Sequence, residues 1–490
     1  MGATHLSPKH FRRFEFPSHT PVIPTEGPPP LRAAAEGSWL PIHKCSTQAN
    51  PPSPSLSPPS TYAKLQKPLM PTRSSSLVIP PTSSTSRVAP QTESPHFLPG
   101  DARSEWILLH IGFVAVGIIT TLIGNVLPSF IRHWSLTDAQ AGFLIAAQFT
   151  GSSIGTALTS VLLPRYGFSR VLCAGFFAFA LGFAFLGVGP WLLAALAVFV
   201  YGFGYGLVNP ATNLRGTQLP SRNMASAVSF LNFSWTVGAV SCPFVVGQLL
   251  PRIGIRGIAI SLTITSLIIA AFHFFRHNAS PEPAAARSTR PYKEWMLALS
   301  QAPSIALFLF FFLYVGTEVG IGNWVATQEK RMPGMASTVL FLAPPFFYGF
   351  LLLGRGFSPL LLRIFSTKVM AVSGVISAAF GAALIISAHQ PTMLYAGAAF
   401  AGIGCAPIYP ILVTWLAQIF HENATWLSAL FFGGAGVGGA ALPWLMGIVA
   451  SQAHSLRLGF FLPFVACLIM AFLTFRVSPR SASAPTPLAA

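Results

Sequence analysis

The sequence predicts an all-α membrane protein of twelve transmembrane helices, arranged as two pseudo-symmetric six-helix bundles. Three observations predict it. Of 490 residues, 52% are hydrophobic and 8% are charged, against about 25% charged in soluble domains. Apolar stretches of roughly 20 residues, each enough to cross a hydrocarbon core of about 30 Å, recur from Trp106 to Phe475. Finally, the last six stretches repeat the first six at a nearly constant offset.

Residues 1–104 come first, and they hold 20 of the 43 prolines together with Ser and Thr runs such as Ser53 to Thr61 and Ser74 to Ser86. Such a segment buries too little apolar surface to offset its ordering entropy, so a disordered Pro/Ser-rich cytoplasmic tail is expected. No apolar secretory core lies near Met1. A targeting segment, a phosphorylatable tail and upstream sequence from a misassigned start stay open for it.

The spans follow at 106–130, 138–163, 170–188, 191–214, 223–249, 257–275, 303–326, 338–362, 368–387, 392–419, 424–450 and 458–476. None alternates apolar and polar residues as a barrel strand does. Helices satisfy their own backbone groups in lipid and are the expected spanning form. A polar connection from Arg276 to Glu294 divides the spans six and six. The expected organisation is a bundle at 105–275, a cytoplasmic connection at 276–302, a second bundle at 303–476 and a tail at 477–490.

The net charge of +17 sits in the tail and in short loops. No span carries the basic stripe that neutralises phosphates, so nucleic acid is not an expected partner. The loops joining even to odd spans, with the C-terminal tail, hold Arg165, Arg170, Arg215, Arg222, Arg276, Arg287, Arg290, Lys293, Arg363, Lys368, Arg476 and Arg480, twelve in all. The other side holds six: Arg132, Arg252, Arg256, Lys330, Arg331 and Arg457. The bias places both termini in the cytoplasm of a multi-pass protein, with the plasma (inner) membrane as the expected home. Cys45, Cys173, Cys242, Cys405 and Cys467 are odd in number and lack metal-ligand spacing, so they are expected as small core residues.

The repeat is the most specific signal. Ile123-Gly124-Asn125 recurs as Ile321-Gly322-Asn323, an offset of 198 that also matches Gly151 with Gly349 and Arg165 with Arg363. After two inserted residues an offset of 200 matches Gly202, Gly204 and Pro210 with Gly402, Gly404 and Pro410, then Gly238 and Pro243 with Gly438 and Pro443. Two six-helix units in the same orientation imply an axis along the membrane normal and a cavity between the halves. The glycines favour close helix packing, and Pro210, Pro243, Pro410 and Pro443 favour bends.

Few groups inside the spans carry chemistry. Of the 12 acidic residues, Glu318 alone lies well inside a predicted span. An intramembrane charge costs about 2.5–3.5 kcal/mol on insertion scales, so Glu318 is expected to face a cavity, find a partner or hold a proton. It is thus a candidate proton carrier or solute acceptor, beside the alternative of a structural hydrogen bond. Arg355, the one basic residue well inside a span, is read as snorkelling or packing on backbone carbonyls, with an anionic solute or a gate as alternatives. The polar candidates for solute contact are Asn125, Gln148, Asn209, Asn232, Trp235, Tyr314, Asn323, Tyr348 and Tyr409, each with a helix-packing bond as its alternative; Asn213 is a weaker one. Tyr314 and Glu318 share one helical face, as do Asn232 and Trp235. Amides and hydroxyls beside aromatic faces suit a sugar. Asn278-Ala-Ser280 and Asn423-Ala-Thr425 fit a glycosylation acceptor but fall on the cytoplasmic side. His421-Glu422 lacks the second His of a zinc helix, and no P-loop is present.

The chain resembles the major facilitator superfamily over roughly 105–476. The stretch Phe312-Leu-Tyr-Val-Gly-Thr-Glu318-Val-Gly-Ile-Gly-Asn-Trp324, with Asn209-Pro210, is similar to the fucose permease-like, sugar-transporting branch. Of the superfamily's loop motif G-x-x-x-D-R-x-G-R-R the chain keeps Arg165 and Gly167, with Arg170 nearby, which makes them structural or gating candidates. Ser160 and Pro164 replace its first Gly and its Asp, so the charge contact of that Asp does not carry over. Tyr205 stands where the branch has a carboxylate four residues before Asn-Pro, so its coupling mechanism does not carry over either. The resemblance implies alternating-access transport of a small polar solute, a sugar by preference; the lone intramembrane carboxylate, not the resemblance, makes H+ or Na+ through Glu318 the expected drive, with no ion at all as the alternative. An exporter of amphipathic compounds is the rival, and a non-transporting receptor or a membrane enzyme is more distant. No resident cofactor or metal is expected; the partners are a small-molecule solute and the lipid bilayer, with the chain as a monomer.

Overall fold

The computed structural model describes residues 100–218, 224–276, 302–335, 341–420 and 424–477. The expectations for the tail before Gly100, for the connection at 277–301, for the end after Val477 and for both glycosylation motifs lie outside them wholly or in part, as does His421-Glu422. The described elements are α1 (Gly100–Trp134), α2 (Asp138–Phe185), α3 (Trp191–Gln218), α4 (Met224–Phe275), α5 (Ala302–Lys330), α6 (Ala343–Leu361), α7 (Thr367–Ser387), α8 (Pro391–Cys405), α9 (Ile408–Phe420), α10 (Ala424–Ala453), α11 (Leu456–Gly459) and α12 (Phe461–Val477). Among the described residues nine helical stretches are long and apolar enough to cross a membrane, counting α8 with α9 and α11 with α12. The chain is an integral, multi-pass helical membrane protein.

Two of the nine are double. A straight helix of 48 residues, the length of α2, would reach about 72 Å, far beyond a bilayer core. It breaks at Gly167, whose φ of 74° only glycine adopts without strain, and α4 breaks likewise at Gly254 with φ 64°. The packing shows each break reverses the chain. Along α3, Gly151 and Gly155 of α2 meet Phe199 and Phe203, then Phe203 and Gly206, so the numbers rise together; Gly175 and Gly182 meet Gly204 and Val208, then Ala197 and Tyr201, so they fall. The first arm of α4 rises with α1, through His110 with Ser234 and Gly117 with Trp235 and Ala239. Its second arm descends along α2, from Arg256 on the Gly187 carbonyl to Thr263 on that of Ala180 and His273 stacked on Phe176. α6, less apolar because it holds Arg355 and three prolines, makes a further pass. It rises with α8, Phe347 beside Gly402 and Gly354 beside Ala406.

The duplicated sequence is a duplicated packing. Gly238 of α4 sits on the carbonyl of Val114 in α1, and Gly438 of α10 sits on that of Phe312 in α5. Gly182 faces Ala197 and Tyr201, while Gly381 faces Gly397 and Ala401. In lipid, where apolar side chains gain nothing by leaving the solvent, such backbone approach is how helices associate.

Boundaries differ from expectation where polar side chains have local partners. α1 begins at Gly100 rather than 106, because Glu105 takes a bidentate bond from Arg215 at 2.6 and 3.0 Å and Ser104 accepts from Arg276. α5 runs to Lys330 rather than 326. Near its end the fully buried Glu329 accepts from the backbone N–H of Leu342 and Ala343 at 3.1 and 2.8 Å and from the Tyr395 hydroxyl at 2.8 Å. It thereby caps the start of α6, which has no side-chain cap of its own. Glu329 is thus a buried carboxylate at the end of α5, while Glu318 lies well inside it. The tenth span divides into α8 and α9 at Ala406-Pro407, where proline lacks the donor that would continue the ladder.

The end of the bundle bearing Ser135, Gly187, Gly254, Met332 and His454 is here the upper end; that bearing Glu105, Arg215, Arg276 and Arg363 is the lower. The halves meet from the upper end downward. Gly447 lies on the Asp138 carbonyl, Gly142 on Pro443 and Trp444, Gly439 on Phe149 and Gly436 on Ser153. Arg331 grips both carboxylate oxygens of Asp138, and the Ala139 N–H donates to Ser451 at 2.8 Å. Lower down, α1 crosses α5 with Gly124 against Asn323.

Candidate functional site

The polar residues of the second half gather around Glu318. One turn before it on α5, Tyr314 donates its hydroxyl to Glu318 Oε2, and the carbonyl of Cys405 at the end of α8 lies 3.2 Å from the same hydroxyl. From α6, Arg355 Nη2 donates to Glu318 Oε1 at 3.1 Å. The pair is partly open: the Arg355 side chain is 27% exposed and that of Glu318 16%. Arg355 thus pairs with a protein carboxylate rather than snorkelling or packing on carbonyls. The lower end is about two turns away along α6, roughly 11 Å, whereas the Glu318 carboxylate is within hydrogen-bonding reach.

Aromatic rings surround the pair. Tyr409 of α9 lies 6.2 Å from the Tyr314 ring and stacks on Phe432 of α10 at 6.3 Å. Tyr205 of α3 brings a hydroxyl of the first half into the neighbourhood of Tyr409, Glu318 and Arg355. It heads a stripe that continues at Asn209 and Asn213, one turn apart on the same face. Asn213 Nδ2 donates to the Asn209 side-chain oxygen at 3.1 Å, and Asn232 of α4 donates to Asn213 at 2.9 Å. A file of hydroxyl and amide groups thus runs from Glu318–Arg355 toward the lower end, where Asn232 is exposed.

Other candidates are placed in packing. Gln148 is fully buried, donating to the Thr120 carbonyl at 3.0 Å and accepting from Tyr201 at 3.2 Å. Trp235 donates to the Thr120 hydroxyl at 3.1 Å, whereas Asn232, on the same helix, donates to Asn213. Asn125 and Asn323, the repeated pair, each bond the carbonyl one turn back at 2.9 Å, and each keeps a buried Oδ1 without a hydrogen-bond partner among the described residues. Tyr348 is buried, its hydroxyl against Gly322. Pro210 and Pro243 lie inside α3 and α4, Pro410 in the first turn of α9 and Pro443 inside α10, where its carbonyl accepts from Trp324 at 2.9 Å. Arg165 and Arg363 are exposed at the lower end, and Gly167 is the α2 break.

Sequence reasoning passed over His110. Its Nδ1 lies 2.7 Å from the Ser234 hydroxyl, its ring is between Trp106 and Phe230, and its Nε2 is buried without a partner among the described residues. A histidine adds no formal charge at neutral pH, so a count of intramembrane charges misses it; its place in the polar run with Ser234 one helix away is visible only in three dimensions. Two cavities lie apart from the charged pair. One of about 460 Å³ at the upper end includes Arg132, His133 and Lys330. One of about 490 Å³, a groove lined by Phe143, Leu196, Val437 and Trp444, is almost wholly apolar.

Known proteins align with this arrangement. The family profile described as Major Facilitator Superfamily matches residues 109–366. The glucose/mannose transporter GlcP of Bacillus subtilis is 22% identical over 71% of this chain and 89% of its own. The cis,cis-muconate transport protein of Acinetobacter baylyi is 23% identical over 72% of this chain and 89% of its own. Among solved structures, the nucleoside transporter NupG superposes with a TM-score of 0.65 at 13% identity, covering 77% of this chain and all of the other.

Proposed function

Because this chain belongs to the Major Facilitator Superfamily and is a secondary transporter, we propose that it carries a hydroxylated, sugar-like solute by alternating access, coupled to an ion through Glu318. The observation that carries the reading is the Glu318–Arg355 pair, held by the second half and faced by Tyr205 of the first. A charged pair inside a membrane is costly. Where two bundles rock against each other it is also the group whose charge state a coupling ion can change. The stripe of Tyr205, Asn209 and Asn213 supplies the donors and acceptors that a polyol needs, and the Tyr409 ring supplies an apolar face. The GlcP relative supports a sugar; the muconate relative shows that equal similarity extends to other cargo names.

The bundles at 105–275 and 303–476 act as the two rocking bodies, closed on each other at the upper end. The lower end, richer in Lys and Arg, faces the cytoplasm of a plasma membrane. The apolar groove between α2, α3 and α10 favours a second reading, an exporter that draws amphipathic compounds from the lipid.

Uptake into liposomes decides between them. The purified chain is given glucose, other neutral sugars and amphipathic dyes, with and without proton or sodium gradients. Gradient-driven sugar flux that Glu318→Gln abolishes is expected. Flux of dyes alone would establish the exporter. Sugar flux indifferent to every gradient and to Glu318→Gln would end the coupling claim.

A further inference from the structure

We propose that the cargo carries a carboxylate, which docks on Arg355, and that a proton enters with it on Glu318. The inference rests on the reading that this pair lines the transport path, and it narrows the cargo from a polar solute to an acid.

Consider first which of the two groups has capacity to spare. Each oxygen of Glu318 already accepts a bond, one from Tyr314 and one from Arg355. Arg355 meets Glu318 through a single N–H at 3.1 Å, although a guanidinium carries five donors in a planar fork. It is also the more open partner, 27% exposed against 16%. A planar fork that spends one N–H on Glu318, has the Tyr314 hydroxyl beside it and keeps part of its surface exposed still has donors for a second carboxylate, which it can bind with two parallel bonds. A lone hydroxyl would use neither the plane nor the charge.

Charge balance then dictates the coupling. The resident pair is neutral. An anion added to it leaves one net negative charge in a low-dielectric site, whereas a proton on Glu318 removes that excess. The two bound species favour each other reciprocally, as linkage requires. Among the described residues, the other titratable groups that face the pair are the phenols of Tyr205, Tyr314, Tyr348 and Tyr409 and the thiol of Cys405. Each is uncharged in its ordinary form near neutral pH, so none supplies a competing counter-charge.

The hydrogen bonds accommodate the change. When Glu318 takes a proton from water it loses its pull on the Tyr314 hydroxyl, and the Cys405 carbonyl, 3.2 Å from that hydroxyl, stands ready to accept it. The new Glu318 O–H can donate in turn to the Tyr314 oxygen, its present neighbour, so no donor is stranded. Arg355 is released toward the carboxylate as Glu318 becomes neutral, and the loaded site is neutral again. Carriage of one acid with one proton moves no net charge.

The test uses the full chain in liposomes with glucose, glucuronate and benzoate as probes. Glucuronate or benzoate uptake is expected to follow an inward proton gradient, to ignore an imposed membrane potential, and to exceed glucose uptake by about tenfold or more. Glu318→Gln is expected to bind the carboxylate equally in acidic and neutral buffer and to exchange it across the membrane without accumulating it. Arg355→Lys is expected to retain weakened binding, and Arg355→Gln to lose it. Should the Arg355 variants fail to fold, competition between glucuronate and glucose on the unaltered chain still decides. Glucose moved as well as glucuronate, or acid uptake that carries net charge, overturns the inference. Glucose flux without any acid flux defeats it while leaving the transport reading intact, and no flux or binding of any probe defeats both.

Discussion

Arg355 and Glu318 are 37 residues apart in sequence, and each makes the other's position tolerable. Removing one partner of a buried pair leaves the other uncompensated, at a cost of about 3–5 kcal/mol. Because Arg355 keeps 27% exposure, the lower end of that range, about 3 kcal/mol, is expected for Arg355→Met. The Arg355→Met/Glu318→Gln pair is expected to recover most of the loss. Thermal melting in detergent reads this directly, and a double variant no more stable than Arg355→Met would refute the pairing. The sequence showed part of this site. Tyr314 and Glu318 sit four apart on one helix, so their contact follows from helical periodicity alone. The contact of Arg355 depends on how α6 is rotated against α5, which no local pattern encodes. Glu329 escaped because a carboxylate near a span's end looks solvated; its backbone partners Leu342 and Ala343 come from the next helix.

At the scale of elements, the glycines mark where backbones touch. A Cβ at Gly238 or Gly438 would strike the carbonyl of Val114 or Phe312, whereas one at Gly349 meets nothing within 4 Å. Gly238→Val and Gly438→Val should each lower stability by about 1–3 kcal/mol, the usual cost of overpacking, while Gly349→Ala should leave the melting temperature nearly unchanged. Equal melting of all three would contradict the close packing. The Gly238 and Gly438 contacts were legible in advance because the repeat matches the two glycines; the repeat also matches Gly151 with Gly349, of which only Gly151 meets a backbone, so the pattern alone does not settle each contact. The reversals at Gly167 and Gly254 were legible as well, since polar or basic residues interrupt the apolar stretches there. The division of the tenth span was not: Pro407 lies in a run as apolar as its surroundings, and proline is tolerated inside membrane helices elsewhere in this chain, as at Pro243 and Pro443.

For the molecule as a whole, the upper contacts decide which way it is closed. The grip of Arg331 on Asp138 joins the halves near the surface, where an ion pair contributes about 0.5–1 kcal/mol. Asp138→Asn is therefore expected to shift the population toward states open at the upper end about two- to fivefold. Spin labels at Ser135 and Gln452 would report this as a larger fraction of long distances, and an unchanged distribution would remove Arg331 from the gate. That the chain is a multi-pass bundle of apolar helices was evident from composition, because the bilayer imposes length and apolarity on every span. Which end of the molecule is closed was not, since the contacts that close it, such as Arg331 with Asp138, join residues 193 apart in sequence.

The doubled packing has an experimental use. Gly238 on Val114 and Gly438 on Phe312 are two trials of one helix contact inside a single polypeptide, folded together in the same membrane. Any substitution made at one site can be made at its counterpart, with expression, lipid and detergent held in common. Where the two variants behave alike, the trait belongs to the ancestral half. Where they diverge, the difference measures what each half has since acquired for itself, and the charged pair in the second half marks the region in which that divergence should be greatest.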